Sequence, residues 1–215
     1  MNRIEGIIFD CDGVLFESKN ANLAYYNRIM EKFSYPLVTA EHKDLAHLCH
    51  TASSPDVLSA LVKSTDLQQA LEYAATLDYR EFIPYMEPEP HLADVLQQLS
   101  CKYPLAVATN RGTSVEPILE HFGFCGYFHT VVTSKDVARP KPAPDMLLLA
   151  SERLGLLPEN CLFVGDSELD QRAAQEAKVR FVGYGGIGSG EISLQSHLQL
   201  LEYLPIMQIQ KRQEV

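Results

Sequence analysis

The sequence has no paired cysteines of the kind that bind zinc or act in redox enzymes. Its five cysteines, Cys11, Cys49, Cys101, Cys125 and Cys161, stand alone, and no two of them form a CxxC pair. An odd number of cysteines without metal-ligand spacing is typical of reduced thiols in a cytosolic protein. We therefore expect reduced cysteines, each of them a small buried hydrophobic residue.

The chain also lacks long apolar runs and an excess of positive charge. It carries 18 lysines and arginines against 28 aspartates and glutamates, a formal net charge of −10. This balance argues against nucleic acid or an anionic membrane as the main partner, although local basic residues and a metal still allow a small phosphorylated ligand. No apolar run is as long as a membrane span, and residues 1–20 contain acids where a signal peptide needs an apolar segment. We expect a cytoplasmic protein.

Neither an internal repeat nor a low-complexity segment interrupts the 215 residues, which suffice for one sizeable core and a small second domain. Apolar runs typical of strands buried on both faces occur at Ile4–Phe9, Leu105–Ala108, Thr130–Thr133, Cys161–Val164 and Arg180–Val182. Helical spacing of apolar or alanine residues lies between most of them, in His91–Leu99, Val115–Phe122, Met146–Leu154 and Gln171–Ala177. Alternating strands and helices predict an α/β fold, a Rossmann-like parallel sheet with helices on both faces.

One interval contains helical segments but no convincing strand. The segments are Asn20–Phe33, Thr39–His50, Ser54–Lys63 and Leu67–Phe82, and Thr39 is the expected N-cap of the second. We predict a small all-helical domain, the helical insert, over residues 17–83, within a core domain of residues 1–16 and 84–215. The proline-rich Pro84–Pro90 cannot continue a helix and is predicted to be the linker back to the core.

Three stretches near the end of the chain have simple predictions. The glycine-rich Gly183–Glu191 follows a late strand without a GxGxxG pattern, so we expect a loop. Leu194–Ile209 has leucines at helical spacing and is expected to cover one face of the sheet. Residues 210–215 are expected to fray.

Polar side chains follow four of the predicted strands. In chain order they are Asp10 and Asp12, then Thr109 and Asn110, then Lys141, and finally Asp166 and Asp170. Each group alone has an ordinary structural explanation, such as a turn, a helix N-cap or a solvated lysine. Because open parallel sheets bind ligands at the carboxyl ends of their strands, the four groups together predict one site at that edge.

In this order the four groups resemble the sequence motifs of the haloacid dehalogenase-like hydrolases. FDCDGV resembles the first motif of that family, ATN the second, RPKPAPD the third and GDSELD the fourth. The resemblance covers nearly the whole chain, since the helical insert stands where family members carry a cap after the first motif. Within the family, the chain resembles the branch of phosphoglycolate phosphatase and β-phosphoglucomutase.

The resemblance implies a phosphatase that depends on Mg²⁺. Asp10 would be the nucleophile and would form an aspartyl-phosphate, which divides one difficult reaction into two easier ones. The cation would be held by Asp10, the backbone carbonyl of Asp12 and Asp166, with Asp170 as a further ligand either directly or through water. A cation there would also explain why two acids lie at the end of a buried strand.

The resemblance further implies which residues bind the phosphoryl group and move protons. Lys141 would offset the negative charge and hold Asp10 in line with the phosphate, while the Thr109 hydroxyl and the Asn110 amide would bind phosphoryl oxygens. Asp12 would protonate the leaving alcohol and then deprotonate the attacking water, so it must be able to hold a proton. Cys11, between the two acids, is expected to point away from them into the core.

The residue at position 12 separates the reactions of the family. Relatives that cleave carbon–halogen bonds carry tyrosine there and phosphonate-cleaving relatives carry alanine, so Asp12 favours a phosphate monoester of a small metabolite. The alternative is a sugar-phosphate mutase of the β-phosphoglucomutase type, but such mutases carry histidine where this chain has Asn22 and tend to carry an acid where it has Gly165. A third alternative, a catalytically silent binding module, predicts the loss of a catalytic group, and all of them are present.

Substrate specificity is expected to come from the helical insert, which would exclude water when closed. Candidate contacts are Glu17, Arg28, Lys32, Lys43, His47, His50 and Arg80, although a solvent-exposed helix residue is the simpler interpretation of each. His47 and His50 have a spacing that suits a metal but lack a third ligand. Arg111 is near enough to the second motif either to contact substrate or to pair with a surface acid. No pattern in the sequence indicates an oligomeric state.

Overall fold

The secondary structure comes from a computed structural model, which describes residues 3–186 and 192–209. Its strands are β1 (Gly6–Phe9), β2 (Phe16–Glu17), β3 (Glu87–Pro88), β4 (Leu105–Thr109), β5 (Thr130–Thr133), β6 (Cys161–Gly165), β7 (Arg180–Tyr184) and β8 (Ser193–Leu194). Its α-helices are α1 (Lys19–Lys32), α2 (Lys43–Thr51), α3 (Ser54–Leu61), α4 (Leu67–Thr76), α5 (Leu92–Ser100), α6 (Val115–His121), α7 (Asp145–Arg153), α8 (Glu168–Ala177) and α9 (His197–Ile209).

Strand β1 lies inside a parallel sheet. Within the described residues the strand order is β5-β4-β1-β6-β7-β8, and each neighbouring pair is parallel. The register places Phe9 beside both Val107 and Val164, so β1, β4 and β6 end within two residues of one another. The predicted α/β fold is confirmed, and the chain segments that leave these three strands meet at one edge.

Alternate side chains of the strands are buried on opposite faces of the sheet. Ile7 and Phe9 pack into a cluster with α5, α6 and α9, whereas Ile8 and Phe163 pack against α7 and α8. This alternation is the period of two that a strand covered on both faces requires. Cys11 belongs to the first cluster, so the prediction that it points into the core is confirmed.

Helix α9 covers one face of the sheet as expected, but it begins later than the leucine pattern predicts. Leu200 and Leu204 pack into the same cluster as β1, whereas Ser193 and Leu194 pair with β7 as the short strand β8. The prediction of a loop from Gly183 is wrong for its first two residues, because Gly183 and Tyr184 belong to β7, and residues 187–191 lie outside the described residues. Residues 210–215, predicted to fray, also lie outside them.

Helices α1 to α4 of the helical insert pack around an apolar cluster of their own. Tyr26, Ile29 and Leu58 are among its buried members. The expectation of Thr39 as N-cap is wrong, because α2 begins at Lys43, after a turn in which the backbone N–H of His42 donates to the Thr39 carbonyl at 3.0 Å. The division of the chain into a core domain and an inserted domain at residues 17–83 stays a prediction.

The predicted linker Pro84–Pro90 contains a strand. Glu87–Pro88 pairs antiparallel with Phe16–Glu17, so the two crossings between core and insert are hydrogen-bonded to each other as a two-stranded ribbon. A strand of two residues that includes proline has no hydrophobic alternation by which it could be predicted.

The cysteines are all free, but only three are buried. Cys11, Cys49 and Cys161 are buried as expected, whereas Cys101 and Cys125 are exposed, contrary to the prediction. Both exposed cysteines lie at the surface just past helical segments, Cys101 at the C-terminus of α5 and Cys125 in a 3₁₀ turn after α6. Across the described parts of the chain, every helix is too short or too polar to cross a membrane.

Candidate active site

The four motif segments meet at the carboxyl edge of the sheet, around the ammonium group of Lys141. Its Nζ lies 2.8 Å from Asp10 Oδ1 and 2.6 Å from Asp170 Oδ1, and it donates to the Ala108 carbonyl at 3.1 Å. Only 4% of Lys141 is exposed. Burial acts to lower the pKa of Lys141, but the charges of Asp10 and Asp170 outweigh burial and raise it above its usual value. Lys141 is therefore a fixed positive charge between two acids.

The loop that carries Lys141 is held by the side chain of Asn110. Asn110 Oδ1 accepts from the backbone N–H of Lys141 at 2.9 Å, and Nδ2 donates to the Lys141 carbonyl at 3.1 Å. The same Nδ2 donates to the Thr51 carbonyl of the helical insert at 3.2 Å. The sequence predicts a role only for the backbone amide of Asn110, and its side chain has this second, structural role.

Asp170 holds the fourth motif in place. Its Oδ2 accepts from the backbone N–H of Asp166 at 3.2 Å and from the backbone N–H and hydroxyl of Ser167 at 3.1 and 2.6 Å. Ser167 Oγ accepts from the Asp170 backbone N–H in return, so the pair forms a capping box at the start of α8. GDSELD therefore caps α8, as its ordinary explanation predicts, and its Asp170 also lies against Lys141.

Three carboxylates from the first and fourth motifs form an acid cluster. One oxygen from each of Asp10, Asp166 and Asp170 lies within 4.8 Å of the others. Burial, with the neighbouring carboxylates, raises the pKa of Asp10 to about 7 and that of Asp166 to about 8, although Lys141 acts in the opposite direction. A donor set of carboxylate oxygens whose joint ionisation is unfavourable suits a hard divalent cation, and these residues fit Mg²⁺.

Gly13 allows the fourth motif to approach the loop after β1. Its φ is +69°, a conformation that favours glycine, and a Cβ at this position would collide with the Asp166 carboxylate. The glycine of FDCDGV therefore makes room for one of the predicted metal ligands.

Asp12 points away from the acid cluster, toward the helical insert. Its Oδ1 accepts from Arg111 Nη2 at 2.5 Å, from Asn22 Nδ2 at 3.2 Å and from the Ser18 hydroxyl. Burial acts to raise the pKa of Asp12, but the charge of Arg111, with His50 and the hydrogen bonds, outweighs it and holds the pKa below its usual value. The two neighbouring acids are thus accommodated in a different way from the expected one: Asp10 faces Lys141, and Asp12 faces Arg111 rather than holding a proton.

Arg111 is a buried residue of the site and does not pair with a surface acid. It is 9% exposed, and its Nη2 contacts Asn22 Oδ1 at 2.8 Å as well as Asp12. Its guanidinium lies over the ring of Tyr79, 4.7 Å from the centroid. The sequence gives no signal for Tyr79, because it predicts one helix over Leu67–Phe82. That prediction is wrong at its end, since α4 stops at Thr76 and Tyr79 begins a 3₁₀ turn.

Among the candidate contacts from the insert, His50 is the one for which the simpler interpretation, a solvent-exposed helix residue, is wrong. It is 7% exposed, with Nε2 3.8 Å from Asp166 Oδ2 and Nδ1 3.4 Å from Asn22 Nδ2. Burial lowers the pKa of His50, although the charge of Asp12 acts in the opposite direction. Because His47 is exposed, the two histidines do not face one site, and the idea of a metal between them is wrong.

The remaining candidates from the insert lie at the surface, as the simpler interpretation predicts. The exposed residues are Glu17, Arg28, Lys32, Lys43 and Arg80. Glu17 pairs with Lys19, and Arg28 pairs with Glu81. Arg80 pairs with Asp78 and Glu120 and also lines a cavity between the core and the insert.

This cavity has a volume of about 730 Å³ and lies between the sheet edge and the helical insert. Asp10, Asp12 and Thr109 line it from the core, and His50 and Tyr79 line it from the insert. Thr109 is 1% exposed, and its Oγ1 accepts from the backbone N–H of residue 111 at 3.1 Å. The predicted nucleophile, the predicted acid and base, and a predicted phosphate-binding hydroxyl therefore share one cavity.

Comparisons with known proteins agree with this geometry. Residues 7–184 match the family model described as haloacid dehalogenase-like hydrolase. The phosphoglycolate phosphatase of Escherichia coli (strain K12) is 46% identical over 96 residues, which are 44% of this chain and 38% of that protein. The chain therefore matches well under half the length of this curated relative.

Solved structures match over most of the chain. A hydrolase of the haloacid dehalogenase superfamily, subfamily IA, variant 1, from Geobacter sulfurreducens PCA has a TM-score of 0.82 and 36% identity, covering 93% of this chain and 99% of that one. CbbY from Rhodobacter sphaeroides, in complex with phosphate, has a TM-score of 0.76 and 22% identity, covering 92% and 96%. The second likeness shows the fold alone.

The resemblance predicted from FDCDGV, ATN, RPKPAPD and GDSELD is thus confirmed, including the similarity to phosphoglycolate phosphatase. With the family model matched over residues 7–184 and a hydrolase structure of nearly the same extent at 36% identity, this chain belongs to the haloacid dehalogenase-like hydrolases.

Proposed function

We propose that this protein is a Mg²⁺-dependent phosphatase, which hydrolyses a phosphate monoester of a small metabolite through an aspartyl-phosphate on Asp10. The observation that carries the proposal is the position of Asp10, which lines the cavity while its carboxylate lies against Lys141 and beside Asp166 and Asp170. The 46% sequence identity to a phosphoglycolate phosphatase over 96 residues supports this reaction class and makes phosphoglycolate the first substrate to test.

Asp10 and Asp166, with the backbone carbonyl of Asp12, are the groups that would hold the ion. Asp170 suits a supporting role, because its Oδ2 accepts three hydrogen bonds and its Oδ1 lies against Lys141. When bound, Mg²⁺ supplies the positive charge that allows a carboxylate to approach a phosphate dianion.

In the first step a carboxylate oxygen of Asp10 bonds to phosphorus while the bond from phosphorus to the alcohol oxygen breaks. Lys141 keeps the attacking carboxylate in place from one side. The Thr109 hydroxyl and the Asn110 amide bind phosphoryl oxygens and set the line of attack. In the second step water attacks the aspartyl-phosphate and restores Asp10.

Asp12 moves the proton in both steps. It gives a proton to the leaving alcohol and later takes one from the attacking water. The contact with Arg111 favours ionised Asp12, which is the form that the second step needs. Because the first step needs the protonated form, we expect the leaving group to loosen the contact between Asp12 and Arg111 when it enters the cavity.

Gly165 supports hydrolysis over the mutase alternative. A Cβ at this position would lie 2.6 Å from the Cβ of Asp170, so an acid does not fit here without a shift of the fourth motif. Asn22, at the position of the mutase histidine, is engaged by Asp12 and Arg111. The cytoplasmic location, and a small metabolite rather than nucleic acid or membrane as partner, stay predictions from composition.

The test is phosphate release from a panel of phosphorylated metabolites, with Mg²⁺ and with EDTA. The panel contains phosphoglycolate, hexose and pentose phosphates, nucleotides and β-glucose 1-phosphate, and isomer formation from the last is followed in parallel. We expect Mg²⁺-dependent release that Asp10→Asn abolishes. Glu168→Gln, which changes an exposed acid of the same motif, is expected to keep the activity.

Two results would contradict the phosphatase. Isomerisation of β-glucose 1-phosphate without phosphate release would assign the protein to the mutases. A folded protein that binds Mg²⁺ but converts no compound of the panel would favour the silent binding module.

A further inference from the structure

His50 is a buried polar side chain of the helical insert that reaches the acid cluster of the core. It lies in the last turn of α2, is 7% exposed, and has its Nε2 3.8 Å from Asp166 Oδ2. A Cβ at Gly13 would lie 3.1 Å from Nε2, so the ring packs closely over the loop after β1. Within residues 3–186 and 192–209, Nε2 has no hydrogen-bond partner. A buried ring nitrogen without a partner at this place needs an explanation.

The orientation of the Asn22 amide is determined by Arg111. A guanidinium group can only donate hydrogen bonds, and Arg111 Nη2 lies 2.8 Å from Asn22 Oδ1, so the atom at that end of the amide is the oxygen. The Tyr79 hydroxyl also donates to this oxygen, at 2.8 Å. The amide nitrogen therefore faces Asp12 Oδ1 at 3.2 Å and His50 Nδ1 at 3.4 Å.

This orientation determines which nitrogen of His50 carries the hydrogen. Because the Asn22 nitrogen donates, His50 Nδ1 must accept and carries no hydrogen. A neutral imidazole then carries its hydrogen on Nε2. The Nε2–H group is the one that lies near Asp166, and 3.8 Å is only slightly too long for a hydrogen bond to its carboxylate.

We propose that His50 donates its Nε2–H to Asp166 when Asp166 holds the metal ion, so that closure of the helical insert and metal binding favour each other. Outer hydrogen bonds of this kind orient metal ligands, and their loss lowers metal affinity about 10- to 100-fold. Here the ligands belong to the core, whereas the donor belongs to the insert. Because such a coupling is reciprocal, the ion in turn stabilises the closed insert. His50 is a positioning residue that acts through Asp166, and the inference rests on the proposed metal site.

The first test is calorimetric titration of the substrate-free full chain with Mg²⁺. His50→Phe keeps the ring but removes both nitrogens, His50→Asn keeps a polar group near Nδ1 only, and His50→Gln can place an amide nitrogen where Nε2 lies. We expect about tenfold weaker Mg²⁺ binding in His50→Phe and His50→Asn, with most of the affinity recovered in His50→Gln. His47→Gln, on the exposed side of the same helix, is the matched control and is expected to bind like the wild type.

The second test is amide hydrogen exchange of α2 with Mg²⁺ and with EDTA. Protection of Lys43–Thr51 by Mg²⁺ is expected in the wild type and in His47→Gln, and its loss is expected in His50→Phe. Circular dichroism identifies any variant that does not fold. If either His50→Phe or His50→Asn fails to fold, the other still tests the role of Nε2.

The outcomes separate this inference from the phosphatase proposal. Equal Mg²⁺ affinities in the wild type, His50→Phe and His50→Asn would overturn the role of His50 and leave the metal site intact. Unchanged affinity together with a higher KM for substrate would also overturn that role, because His50 would then contact substrate. A wild type that binds no Mg²⁺ would overturn both proposals.

Discussion

At the scale of single residues, Lys141 compensates the negative charge of Asp10 and Asp170. It lies within 2.8 Å of Asp10 and 2.6 Å of Asp170, and all three side chains are at least nine-tenths buried. Removing one partner of a buried ion pair leaves a charge that neither water nor protein compensates, which typically costs about 3–5 kcal/mol. Lys141 therefore contributes to stability mainly because, without it, the buried carboxylates of Asp10 and Asp170 would lack a compensating charge.

We therefore expect Lys141→Met to lower the free energy of unfolding by about 3–5 kcal/mol, in urea titrations at neutral pH with EDTA present. Arg139→Met is the matched control, because Arg139 lies two residues earlier and pairs with Asp145 at the surface. That variant should unfold at the same urea concentration as the wild type. Equal midpoints for both variants would show that Lys141 does not compensate the acids.

At the scale of secondary-structure elements, helix α9 contacts the loop that carries the predicted catalytic acids Asp10 and Asp12. His197 Nε2 lies 2.6 Å from the carbonyl oxygen of Val14, and the ring stacks on Tyr184 with centroids 4.6 Å apart. A carbonyl can only accept, so Nε2 carries the hydrogen of this bond. Burial lowers the pKa of His197 to about 4, although the bond to Val14 acts in the opposite direction.

The lowered pKa makes the docking of α9 sensitive to acid. Between about pH 6.5 and pH 4 the unfolded chain binds a proton at His197 and the folded chain does not, so this contribution is complete above pH 6.5 and is lost as the pH falls. At pH 5 the loss is about 2 kcal/mol relative to pH 8. His197→Gln keeps a side-chain donor but does not titrate, so its stability relative to the wild type should rise by about that amount between pH 8 and pH 5.

Urea unfolding of both proteins at several pH values measures this difference, which cancels the titration of all other groups. His121→Gln, at an exposed position at the end of α6, serves as the control. A constant difference between His197→Gln and the wild type across the range would show that His197 is not buried in its neutral form.

At the scale of the whole molecule, the site is formed by the sheet edge of the core and by the helical insert. Sequence patterns predict the first part better than the second. The parallel sheet and the motif segments could be predicted, because each motif residue follows a strand whose apolar run is visible. His50, Arg111 and Tyr79 could not be placed in this way. Their roles depend on how the helical insert packs against the core, and neither hydrophobic periodicity nor residue spacing describes such packing.

The short elements between core and insert could not be predicted for a related reason. The ribbon formed by Phe16–Glu17 and Glu87–Pro88 consists of two residues on each side, brought together only when the insert has folded. The side chain of Asn110 connects the same two parts, since it bonds both the loop of Lys141 and the carbonyl of Thr51. Contacts between distant segments therefore complete a site whose motif residues were visible in the sequence.

The ionisation of the acid cluster affects both the stability of the whole molecule and its proposed metal binding. The pKa of Asp166 is raised from 3.8 to about 8, by burial first and by Asp10 next, so the ionised form is unfavourable in the metal-free folded state. For an acid with a raised pKa, the unfolded chain is ionised where the folded chain still holds its proton. Stability therefore falls as the pH rises from about 4 to about 8 and then levels off. Asp166→Asn removes this penalty and also removes a proposed metal ligand.

We expect Asp166→Asn to unfold at a higher temperature than the wild type in EDTA at pH 8, and the gain to shrink at pH 6. Mg²⁺ at about one hundred times its dissociation constant should stabilise the wild type by about 2.7 kcal/mol but leave Asp166→Asn unchanged. Thermal unfolding followed by circular dichroism measures both effects, with Glu168→Gln as the exposed-acid control that should behave like the wild type. An Asp166→Asn variant that melts below the wild type in EDTA would show that ionised Asp166 does not destabilise the metal-free fold. A variant that Mg²⁺ stabilises as strongly as the wild type would show that Asp166 does not hold the ion.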